Sequence, residues 1–137
     1  MMKSKILAGA ALVAPILAGQ AQADSHLPKA PEYYLETVIG VSLAEQYVWH
    51  CPDLRVNAEA FGAAYAVVLE KLAEIGVPSD APHEHMLLPP AEETDAVIRD
   101  MLARNEAADD PGAAFCAEAR AEMAASSVVG TFLAEGE

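Results

Sequence analysis

The chain has 137 residues, 53% of them hydrophobic, with 21 acidic against 8 basic side chains and a net charge of −13. That length supports one domain with a modest core. The charge repels phosphate backbones and anionic head groups, so neither nucleic acid nor an anionic membrane surface is an expected partner.

Residues 1–23 read as a secretory signal rather than as part of the fold. Lys3 and Lys5 form a positive start, Ile6 to Leu17 an apolar run, and Ala21-Gln22-Ala23 a small-x-small cleavage site. The run is shorter than the ~20 residues a spanning helix needs, and Pro15 interrupts it. No second long apolar run follows, so no stable membrane insertion is expected after cleavage. Cleavage after Ala23 removes 23 of the 137 residues and leaves 114. It takes two lysines and no acid, so 6 basic residues remain against 21 acidic, a charge of −15. Such a surface keeps the chain soluble and favours a basic partner if there is one. Export to the periplasm or beyond also bears on Cys51 and Cys116, since two cysteines in an exported domain most often pair. A free reactive thiol is the other reading. No C-x-x-C redox motif is present.

Residues 24–30 are polar and proline-containing and read as a disordered lead-in to a helical domain over 31–137. Pro31 and Glu32 open a first helix. Leu35, Val38, Ile39, Ser42, Leu43, Gln46 and Tyr47 recur on it at helical spacing as its expected buried stripe. It ends near His50, before Pro52. A second helix starts at Asp53 or Asn57 and carries Phe61, Ala64, Tyr65, Val68, Leu69 and Leu72, with Gly76 as its cap. Gly62, inside it, suggests a close helix crossing. A short third helix spans His83 to Leu88 and stops at Pro89-Pro90. A fourth begins with Glu92, Glu93 and Asp95 and buries Val97, Ile98, Met101 and Leu102. Asn105 to Asp110 reads as a loop. Pro111-Gly112 opens a fifth helix running to Leu133. No segment alternates long enough to read as a strand. The fold class is therefore all-α, a bundle of four to five helices tied by one disulfide.

Chemistry-bearing patterns are few. His83, His85 and Met86 are ligand types suited to copper or zinc, and a loop would let the two histidines share an ion. A helix would point them about 200° apart. His50 beside Cys51 is a weak nucleophile pair, because catalytic partners meet in space rather than along the chain. The sequence carries no nucleotide-binding loop, no G-x-S-x-G and no H-E-x-x-H, so neither an enzyme nor a cofactor is expected. Ser126, Ser127, Gly130 and Thr131 make a small polar strip. It is read either as tight packing against the first helix or as a partner surface.

Phe115-Cys116, Glu122, Ser126 or Ser127, Gly130 and Phe132-Leu133 form a further pattern. Together with Cys51-Pro52 upstream and Gly76 to Asp80 between, they resemble a family of small exported alphaproteobacterial proteins, domain of unknown function 5333. The resemblance implies a helical exported domain with paired cysteines and no known activity. Pro82, His83 and His85 are not features of that family, so no metal role transfers. Small disulfide-tied acid-stress chaperones are similar in size and architecture only. The expected role is an exported binding or interaction protein, chaperone-like in envelope stress. A metal carrier and an immunity-type inhibitor of a basic toxin are the alternatives.

Overall fold

The computed structural model describes residues 26–137, so the signal read at 1–23 and the first two residues of the lead-in lie outside the described residues. Five α-helices follow in order: α1 (Glu32–His50), α2 (Ala58–Glu74), α3 (Ala91–Glu106), α4 (Pro111–Ala124) and α5 (Val128–Thr131). Two three-residue strands, β1 (Leu54–Val56) and β2 (Leu133–Glu135), and a 3-10 turn over Pro82–His85 complete the described chain. The architecture is a helical bundle tied by one disulfide.

Local chemistry sets the element ends. Asn57 accepts from the Ala60 amide and caps α2. Gly76, at φ +81°, takes the left-handed step that closes α2, and the Val77 amide returns to the Leu72 carbonyl. Asp110 caps α4, with Pro111 in the first turn.

The disulfide sits at the centre. Cys51, fully buried, follows α1, and Cys116 lies on α4; their sulfurs are 2.01 Å apart and their Cα atoms 5.2 Å. Around it pack Ala44, Tyr47, Leu54, Phe115, Ala119 and Phe132. His50 stacks on Phe115 at 4.1 Å between ring centres. A second cluster, Tyr34, Val68, Leu72, Val77 and Met86, seats α2 and the 3-10 turn beside the front of α1.

Several expectations are corrected. Strands do form: β1 and β2 pair antiparallel with Leu54 opposite Glu135 and Val56 opposite Leu133, which brings the chain end back to the turn after Cys51. The stretch read as a fifth helix to Leu133 breaks after Ala124. There Ser126 adopts φ +50° and Ser127 caps a new, four-residue helix. The lead-in is ordered at its end, since the Ala30 amide donates to the Leu87 carbonyl and the Leu87 amide to the Pro28 carbonyl. The third helix is a 3-10 turn that ends at His85. Gly62 marks no helix crossing, because a Cβ built there meets nothing within 4 Å. The close approaches are at Gly40, where a Cβ would lie 2.8 Å from Val128 Cγ1, at Gly136, where it would lie 2.8 Å from the Asp53 carbonyl oxygen, and at Gly130. At Gly130 a Cβ would lie 2.0 Å from the Glu122 carbonyl oxygen, a backbone atom that cannot step aside.

Two outcomes follow for stability. Thiol labelling of denatured, unreduced protein should find no free cysteine. Cys51→Ala/Cys116→Ala should cost about 4 kcal/mol, because the bond closes a span of 65 residues. A loss below ~1 kcal/mol would mean that the bond adds little. The two glycines should respond in opposite directions. Gly62→Ala should gain about 0.5–1 kcal/mol from helix propensity. Gly130→Ala should lose ~2 kcal/mol or more by overpacking, both read from denaturant melts.

Candidate functional site

α1 is apolar on more than one face, and the bundle covers only some of them. Its buried residues are Tyr34, Thr37, Gly40, Ala44 and Tyr47, mostly small or aromatic. The large aliphatics Leu35, Ile39 and Leu43, spaced four apart on one stripe, are only half-buried. Of the stripe expected to face the core, Tyr47 is buried and Leu35, Val38 and Leu43 pack against the two core clusters, but Leu35, Ile39 and Leu43 also line open hollows.

The walls of those hollows come from α3 and α5. α3 buries only Met101 and Asn105, both in its C-terminal half. Its N-terminal half stands off α1 and leaves a cavity of about 320 Å³ reaching Leu35, Ile39, Leu88 and Ile98. On the other side of the stripe, about 270 Å³ opens between Ile39, Leu43, Val128 and Val129. A third hollow of about 270 Å³ continues past Leu43 and Val129 to Tyr47 and Val97. The first and second share Leu35 and Ile39, and the second and third share Leu43 and Val129, so the three lie one after another along α1, a row termed the furrow. Leu88, Val97 and Val128 stand at its rim, each more than 40% exposed. The walls of the first two hollows are mainly apolar, while Asp100, Arg104 and Glu122 make the third partly charged.

Below the furrow, a polar cluster pins α3 to α4. Arg104 Nε donates to a Glu118 carboxylate oxygen at 2.9 Å. Asn105, 3% exposed, donates from Nδ2 to the Met101 carbonyl at 2.9 Å and to the other Glu118 oxygen. Burial pushes the Glu118 carboxyl up, but hydrogen bonds from Arg104 and Asn105 and the Arg104 charge outweigh it, so its pKa lies below the usual value. Burial first, and the Glu118 carboxylate second, hold the Tyr47 phenol well above its usual range. Sequence reasoning placed Asn105 in a loop and passed over Glu118. An uncapped polar residue next to an apolar face, Met101-Leu102, was the only local signal.

The other candidate residues do not come together as a site. His83 and His85 are exposed on the 3-10 turn, where residues two apart point about 240° around the axis. Met86 is buried among Tyr34, Val68 and Leu72, away from the solvent that the two histidines face. Among the described residues, no three His, Cys, Asp or Glu side chains are grouped as a metal site. Cys51 is consumed by the disulfide, so the His50–Cys51 pair has no thiol. The strip Ser126, Ser127, Gly130 and Thr131 is spent within the chain. Ser127 Oγ accepts from the Gly130 amide, Thr131 Oγ1 donates to the Ser127 carbonyl, and Gly130 is buried against the α4 backbone rather than against α1. Among the described residues, no helix is long and apolar enough to cross a membrane. The disulfide fits a location outside the reducing cytoplasm.

No family model matches the chain, and neither the curated proteins nor the solved structures include a detectable match.

The cluster on Glu118 has a pH signature. Its native pKa is depressed, so its contribution is complete above the unfolded value of ~4.3 and fades as pH falls through the native one. Glu118→Gln should cost about 1–3 kcal/mol near neutral pH. The gap to wild type should narrow below pH ~4. A gap of the same size at every pH would remove the ionised carboxylate from the explanation.

Proposed function

We propose that the protein is an exported, non-catalytic binding protein of the periplasm that holds an apolar segment of another protein in the α1 furrow. The furrow itself supports this reading. An isolated domain gains nothing by leaving Leu35, Ile39 and Leu43 half in water with Leu88, Val97 and Val128 exposed beside them. A partner that covers them recovers hydrophobic free energy at about 25 cal/mol per Å² of apolar area, less the cost of association.

A chaperone-like duty in envelope stress follows as one form of this role. Carboxylates outnumber basic groups across the chain, so acidification reduces the self-repulsion of the surface while the furrow remains apolar. The resemblance to domain of unknown function 5333 agrees with an exported helical domain and adds no activity.

Leu88→Asp/Val97→Asp provides the test, because both side chains are already exposed and should be replaceable without unfolding the bundle. A chemically denatured test enzyme diluted into buffer should scatter less light in the presence of wild type. The double variant, with an unchanged melting curve, should not protect. Equal protection by both proteins, or by neither, would take the furrow out of the function.

A further inference from the structure

We propose that the furrow is the seat of one additional helix, a cationic amphipathic segment of a partner protein, with its apolar face on the α1 stripe and its basic residues against the rim. This rests on the binding role argued above and specifies the occupant.

The shape argues for a helix. The floor is a helical stripe, Leu35, Ile39 and Leu43, continued by Tyr47, with α3 and α5 as flanks. From Leu35 to Tyr47 it runs roughly 18 Å at 1.5 Å per residue. That length matches about three turns of a partner helix, whose apolar residues at i, i+3, i+4 and i+7 would lie on the stripe.

Charge argues for the sign. Glu32 and Glu36 stand at one edge of the furrow, and Asp95 and Asp100 along the α3 edge. All four are exposed. The ion pairs among the described residues are Arg104–Glu118 and Arg120–Glu135, so these four carboxylates have no cation of their own. Arg104, the basic residue at the far end, is committed to Glu118. A second copy of the chain would bring the same four acids against each other, and an anionic lipid surface would meet them with like charge. A helix with lysine or arginine beside its apolar face satisfies both the floor and the rim.

The test uses labelled peptide helices of about 12 residues in fluorescence anisotropy. One has a leucine face flanked by lysine, a second the same face flanked by glutamine, and a third by glutamate. A fourth keeps the lysines but carries serine in place of leucine. The leucine/lysine peptide should bind about tenfold tighter than the leucine/glutamine one at low salt, with the glutamate peptide weakest. The advantage should shrink at ~1 M salt, where screening acts within about 3 Å. Glu36→Gln/Asp95→Asn should lower the lysine peptide to the glutamine level. Leu88→Ser/Val97→Ser, with melting unchanged, should lose both. Equal affinity for the lysine and glutamine peptides would overturn the cationic occupant and leave the binding furrow standing. Failure of every leucine-faced peptide would overturn both. If the serine/lysine peptide bound as tightly as the leucine/lysine one, general attraction to an acidic protein would replace the proposal. Self-association of the protein in sedimentation equilibrium, abolished by Leu88→Ser/Val97→Ser, would make the second copy the occupant and overturn it too.

Discussion

The Cys51–Cys116 bond is the constraint on which the rest of the bundle depends. It fixes the end of α1 to the middle of α4, and the surrounding core of Tyr47, Leu54, Phe115, Ala119 and Phe132 is built on that junction. The small sheet forms beside it because the chain leaving Cys51 must turn at Pro52-Asp53, where the Gly136 amide donates to the Asp53 carbonyl. A two-stranded sheet of three residues each would not persist alone; here it is held by helices on either side. The bond thus does for this domain what a larger core does for a longer one.

The same junction explains why one face of α1 is open. Packing is tight where α1, α4 and α5 meet: Gly40 admits Val128 and Phe132, and Gly130 lies on the α4 backbone. α3 joins this core through Met101, Leu102 and the Arg104–Asn105–Glu118 cluster, all in its second half. Its first half follows directly on Pro89 and Pro90 and turns only Ile98, itself half-buried, toward Leu35 and Ile39 among its large apolar side chains. The bundle is therefore closed at its disulfide end and open at its front. Half of the charged rim, Glu32 and Glu36, lies on α1 beside the apolar floor, and the other half, Asp95 and Asp100, comes from α3, so the whole edge could not be read from one segment alone.

Much of the fold was legible in the sequence. Pro31, Pro52, Asn57, Gly76 and Pro111 announce helix ends by mechanisms that act locally, and the elements follow them closely. The strands were not legible, because Leu54-Arg55-Val56 and Leu133-Ala134-Glu135 are too short to alternate and exist only through their pairing. The break before Val128 was hidden by alanines that favour helix, while Ser126 and Ser127 do the capping. The α1 stripe was legible only in part: Tyr47 enters the core and Leu35, Val38 and Leu43 pack against it, but the open side of Leu35, Ile39 and Leu43 was not foreseen, for a physical reason. Periodicity identifies an apolar face but not which of two such faces the neighbours cover, and here the smaller residues Gly40 and Ala44 win the core because they permit close approach. For the strip at Ser126 to Thr131, the small residues announce either close packing or a partner surface; Gly130 does pack closely, but on the α4 backbone rather than on α1, a choice of neighbour that no local signal gives.

What sets the chain's behaviour is whether the front of α1 is open in solution. Methyl NMR with a soluble paramagnetic agent tests this directly. Methyls of Leu35, Ile39 and Leu43 should relax strongly on adding the agent, as should those of Val97 and Val128, while Leu72 and Leu133, buried in the two cores, should be shielded. Equal shielding of Leu35, Ile39 and Leu43 with Leu72 and Leu133 would mean that α3 closes over α1, and the furrow would not exist to bind anything.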